Sequence, residues 1–121
     1  TRTTISSSAS PSAEIIAIIS SNNYVSVKYL VEIHNTTDNQ YSFFHVAANI
    51  YGDVINYIKY NNLSTSVDLR RDIQNTDMVV SGSNGLLRFT PRANKAYVVR
   101  TSEIRIDNPD DVASDVVITL P

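Results

Sequence analysis

Two histidines, His34 and His45, are the only imidazoles in the 121 residues, and cysteine is absent. They flank a polar stretch, so a hairpin there would set them on facing strands. With Asp38 between them they form a candidate metal site, because imidazole and carboxylate together suit zinc. The spacing matches no standard zinc pattern, and His34 opening a polar turn with His45 among aromatics is the simpler reading. Asp107, Asp110, Asp111 and Asp115 are a second candidate, since calcium takes several oxygen ligands from loops. Their spacing departs from the calcium-loop pattern, and they read as a solvated turn around Asn108-Pro109.

Nucleophilic chemistry finds no better footing. Serine is abundant, yet nothing resembles a nucleophile elbow, and three glycines leave no phosphate-cradling loop. Asp110-Asp111 sits in a loop rather than across the cleft that glycoside hydrolysis needs. The sequence therefore predicts no catalytic residue, no cofactor-binding residue, no metal ligand and no cofactor: the chain is not an enzyme. Among the seven tyrosines, Tyr24, Tyr51, Tyr57 and Tyr60 fall near strand ends or on mixed faces. Exposed Tyr with Asn and Ser is the composition of adaptable binding surfaces. Structural roles are the favoured reading for most of them, with rings buried and hydroxyls wet. Asn35-Thr36-Thr37 and Asn62-Leu63-Ser64 match the glycosylation acceptor pattern, as a chain rich in Ser, Thr and Asn does by chance.

The elements that position these residues read as strands. Tyr24 to Ile33 alternates cleanly, with Val25, Val27, Tyr29, Val31 and Ile33 facing one way and Ser26, Lys28, Leu30 and Glu32 the other. Tyr41 to Tyr51 alternates too, with apolar residues on both faces, and Gly52-Asp53 breaks it. Val54 to Tyr60 is a third strand closed by Asn61-Asn62. Val67, Leu69, Arg71 and Ile73 mark a more polar fourth. Met78 to Ser81 and Leu86 to Thr90 flank Ser83-Asn84-Gly85, whose Asn-Gly pair suits a type I′ hairpin. Pro91 stops that strand. Ala96 to Ile106 is a long strand, and Val116 to Leu120 a last one. Glu14 to Ser20 is a short apolar run, a strand buried on both faces or, as the competing reading, a helical turn.

Eight or nine strands at such spacing predict an all-β fold, a single antiparallel β-sandwich or jelly roll. Residues 1–13, small and hydroxylated, read as an extended N-terminal arm, and residues 14–121 as the β-sandwich domain. The chain opens on Thr1 with no signal-type segment, the pattern of a processed or partial polypeptide. Net charge is −2, and the basic residues form no stripe, so no nucleic-acid partner is expected. No apolar run approaches membrane-spanning length, so no membrane partner is expected either.

The order of segments carries a resemblance. Tyr24 to Ile33 (YVSVKYLVEI), a polar turn, Tyr41 to Tyr51 and a Gly-Asp break are followed by Gly85 to Pro91 (GLLRFTP) and Tyr97 to Thr101 (YVVRT). Over residues 14–106 this resembles a β-sandwich domain of structural proteins of tailed bacteriophages, especially those of marine and cyanobacterial hosts. The Gly-Thr-rich stretch common before the later strands of that family is represented only by Ser81-Gly82-Ser83-Asn84. The resemblance carries no ligand residues to transfer. It implies a non-enzymatic structural component on the exterior of a virion: a capsid decoration, or a tail, fibre or collar appendage. Its partners would be other virion proteins and further copies of itself. On this reading residues 1–13 and 107–121 carry the assembly contacts and 24–106 supply the rigid body. The alternatives are a carbohydrate- or receptor-binding module contacting a host surface glycan, and an adhesin or pilin-like subunit completed by a donor strand.

Overall fold

The computed structural model describes residues 1–20, 25–65 and 70–106. Its order is β1 (Arg2–Ser6), β2 (Glu14–Ser20), β3 (Val25–Asn35), β4 (Gln40–Tyr51), β5 (Val54–Ser64), α1 (Arg70–Gln74), β6 (Thr76–Ser81), β7 (Asn84–Phe89) and β8 (Ala96–Ile106). Two antiparallel sheets pack face to face: five strands in the order β1-β8-β3-β4-β5, and three in the order β2-β7-β6. The fold is thus the all-β sandwich that the strand periodicity predicts. Asn22-Asn23, Tyr24, Val67, Leu69 and all of residues 107–121 lie outside the described residues.

The core follows from parity. In β3 every odd residue from Val25 to Asn35 is buried, and in β4 every even one from Ser42 to Ile50. These side chains meet Ile16, Ile19, Leu87, Phe89 and Met78 of the small sheet. The Phe89 ring stands edge-on to Tyr97, 5.0 Å between centroids, and so links the two sheets through β7 and β8. Gly85 lies where a side chain has no room: a Cβ there would come within 2.6 Å of the Ile50 side chain.

Several sequence expectations shift. The first residues do not form a free arm: Arg2 to Ser6 pair in register with Arg100 to Ala96. Ile5 is buried, and the Ser7 amide continues the ladder to the Lys95 carbonyl. The β-branched run Thr3-Thr4-Ile5 suits a strand, and one inward isoleucine anchors it without a longer apolar period. Glu14 to Ser20 is not buried on both faces. It is an edge strand whose Ile15 and Ile18 are exposed.

Asn61-Asn62 does not end β5. The strand runs on to Ser64, and the register slips between His45↔Tyr60 and Phe43↔Leu63. Two residues of β5 there oppose one of β4, and Asn61 takes φ 54°, a bulge geometry that Asn tolerates. The β6–β7 hairpin forms, but its turn is Gly82-Ser83 with positive φ at Gly82. That is the pattern of a type II′ turn, and Asn84-Gly85 belong to β7. Arg71 and Ile73 are not strand residues: they lie in α1, where adjacent Asp72 and Ile73 are both buried. A strand with one buried face cannot bury neighbours in sequence, whereas a helical turn can.

Candidate functional site

The residues first marked for chemistry are dispersed. His45 pairs with Leu30 and His34 with Tyr41, so the imidazoles stand four β3 positions apart, about 13 Å. His34 stacks on Tyr41 with 3.9 Å between ring centroids and donates from Nε2 to Asn39 Oδ1 at 3.2 Å. His45 sits edge-on to Phe43 and Tyr60. Asp38 is engaged elsewhere: its carboxylate takes Lys95 Nζ at 3.0 Å and the Asn35 amide at 3.0 Å, and the Lys95 contact holds its pKa low. Among the described residues no three His, Asp or Glu side chains converge as a metal site would require. Asp107, Asp110, Asp111 and Asp115 lie outside the described residues. Asn35 of the first glycosylation pattern is buried, with its amide bonded to Asp38; Asn62 of the second is exposed.

One buried polar cluster does form. Asp72 is 0% exposed and receives the Tyr97 hydroxyl at 3.3 Å and Arg92 Nη2 at 3.4 Å. Burial pushes its carboxyl above the usual range, against the pull of Arg92 and Tyr97. Arg92 also donates to Gln40 Oε1 at 3.5 Å. The cluster ties α1 and the segment before β8 to β8 itself and to the start of β4. Lys59 performs a similar task across the sandwich, donating to the carbonyls of Ile73 at 2.9 Å and Thr76 at 2.8 Å. Burial lowers its pKa. Both arrangements tie separate elements of the sandwich together through the chain's own groups.

The feature left over is the outer face of the five-stranded sheet. Pairing registers set its rows across β8, β3, β4 and β5: Ile104–Lys28–Ala47–Ile58, then Ser102–Leu30–His45–Tyr60, then Arg100–Glu32–Phe43–Leu63. An antiparallel sheet with one face on the core ordinarily turns polar residues outward. Here Ile58 is 63% exposed, Ile104 62% and Ile106 71%. Ala47 and Ser26 are small, so the isoleucines of β8 and β5 stand as walls of a trough of about 670 Å³. At the other end of the same face, Phe43, Tyr41, Tyr60 and Leu63 supply bulk. Tyr60 carries Lys28 Nζ 5.8 Å from its ring centroid. Of the tyrosines singled out, Tyr51 and Tyr57 are exposed and Tyr60 is half-buried on this face.

No protein-family model matches the chain, and no curated protein matches it in sequence. A solved structure is similar. The crystal structure of the Acinetobacter phage vB_ApiP_P1 tailspike protein superposes with a TM-score of 0.59 over 87% of this chain, at 12% sequence identity. The chain spans 21% of that protein's length. At this identity the likeness is one of fold: the sandwich recurs inside a phage virion protein. That agrees at the level of architecture with the family resemblance in the strand order.

No sequence pattern marks Ile58, Ile104 and Ile106 as members of one surface. The available signal was parity: Tyr41, Phe43 and His45 give β4 a second apolar face, which a half-solvated strand does not need. Joining it to β5 and β8 requires the register, which the sequence does not display.

Proposed function

We propose that this chain is a non-enzymatic structural domain of a bacteriophage virion, part of a tail, fibre or collar appendage or an exterior decoration, that works through protein–protein contacts. The observation that carries the assembly role is the apolar outer face of the five-stranded sheet, displayed by a fold whose core is already complete without it. Exposed apolar patches of this kind mark interaction surfaces. The phage setting is supported by the fold shared with a tailspike protein and by the strand-order resemblance over residues 14–106. The test is mass spectrometry of purified particles made with wild-type chain or with an Ile58→Glu, Ile104→Glu variant. Wild-type peptides should co-purify with particles and the variant should fall to background. Absence of the wild-type chain from particles, or undiminished incorporation of the variant, would overturn the reading.

A second reading, a glycan-binding module, is favoured by the exposed Tyr41 ring stacked on His34. Aromatic faces of this kind suit sugars, and glycan-array binding that disappears in Tyr41→Ala would establish it.

A further inference from the structure

We infer that the outer face of the five-stranded sheet docks a second copy of this chain, the two sheets meeting face to face with antiparallel strands about a two-fold axis. The axis lies along the Ser102–Leu30–His45–Tyr60 row. This deepens the assembly reading by naming the partner of that face, and it rests on the face being an interface at all.

The face is self-complementary. An isologous interface requires that a residue on one side of the axis suit the residue the same distance on the other. Two positions from Leu30 in one direction is Lys28, and two in the other is Glu32. Antiparallel docking therefore sets Lys28 of each copy against Glu32 of the other. Lys28 has no carboxylate partner among the described residues; its ammonium lies over the Tyr60 ring. Glu32 is held only at 3.9 Å by an exposed Arg100, a weak tie that leaves it available.

Shape follows the same symmetry. Two positions from His45 are Ala47 on one side and Phe43 on the other, a small residue at the trough floor facing a large ring. The trough walls face apolar or long side chains in turn: Ile58 meets Leu63 of the second copy, and Ile104 the stem of Arg100. Parallel docking about an axis along the strands would instead keep each row in register with itself, setting the Lys28 row on the Lys28 row and the Glu32 row on the Glu32 row. Four strands of about ten residues offer roughly 650 Å² of projected face, near the ~800 Å² per partner of a standard interface once side-chain relief is counted.

The experiment is sedimentation velocity on the purified full chain over a range of concentrations, with the variants Lys28→Glu, Glu32→Lys and the double charge swap. Each position faces solvent on the outer face, and urea denaturation checks that each variant folds. The wild type should dimerise. Each single swap places like charges at two symmetry-related contacts and should weaken the dimer by roughly tenfold or more, and the double swap should restore most of it. A wild-type chain that stays monomeric at every concentration overturns the second-copy proposal. If Ile58→Glu, Ile104→Glu still blocks particle incorporation in that case, the assembly reading stands and the face binds a different virion protein. A dimer indifferent to the single swaps, or a double swap no better than either, also overturns the antiparallel arrangement.

Discussion

Asp72 shows how a single buried carboxylate can set a pH response. Its side chain is wholly enclosed, and burial raises its pKa despite Arg92 and Tyr97 beside it. The folded chain therefore takes up this proton at a higher pH than the unfolded chain, whose carboxyl titrates near the ordinary value of about 3.9. A raised carboxylate pKa means that the ionised form is penalised in the fold, so the penalty is present above the folded pKa. It is relieved as pH falls through that pKa toward the unfolded value. Relative to Asp72→Asn, which carries no titrating group at this site, the wild type should gain stability between neutral pH and about pH 4. Paired urea denaturation curves at three pH values measure the difference. A gain in the opposite direction would mean that the Arg92 attraction outweighs burial. Gly85 makes a steric counterpart. Its added methyl would meet the terminal Cδ1 of Ile50 at 2.6 Å, and Ile50 is fully buried, so its side chain must shift within the packed core. Gly85→Ala should cost about 1–3 kcal/mol by overpacking, read from the same denaturation curves.

At the scale of elements, β1 changes what the N-terminal residues are for. They close the β8 edge, bury Ile5 and continue through Ser7 to the Lys95 carbonyl. Deleting residues 1–8 should thus cost stability, about 3 kcal/mol or more from the loss of Ile5 burial and the ladder. An unchanged urea midpoint for the truncated chain would show that β1 is dispensable. The strands were legible wherever one face is buried: the alternation from Val25 to Ile33 and from Ser42 to Ile50 maps directly onto the core. Legibility failed where a residue acts through a partner distant in sequence. β1 has one inward isoleucine and takes its order from β8. Asn61 bulges because Phe43 and His45 fix both sides of the slip. α1 coils where Asp72 can reach Arg92 and Tyr97, and no local pattern announces a contact spanning twenty residues or more.

At the scale of the whole molecule, the two faces of one sheet differ: the inner face is core, and the outer face is the one proposed for assembly. On the inner face, Tyr29, Val31, Phe44 and Val46 are buried against the small sheet, and their packing is what holds the chain folded. On the outer face, Lys28, Leu30, Ala47, Ile58 and Ile104 face outward with nothing of the described chain above them. The two sets alternate along the same strands, so a change of one residue in position moves a substitution from one face to the other. Val31→Ala should cost about 2 kcal/mol, because it opens a cavity in a closed core. Ile58→Glu with Ile104→Glu should shift stability by no more than about 0.5 kcal/mol each, because both side chains are already exposed. The same pair should abolish self-association, which Val31→Ala leaves intact at concentrations where that variant is folded. Urea denaturation and sedimentation on the two variants test the division together. If the outer-face pair lowered stability as far as the core variant does, the outer face would belong to the fold itself, and its apolar character would no longer call for a partner.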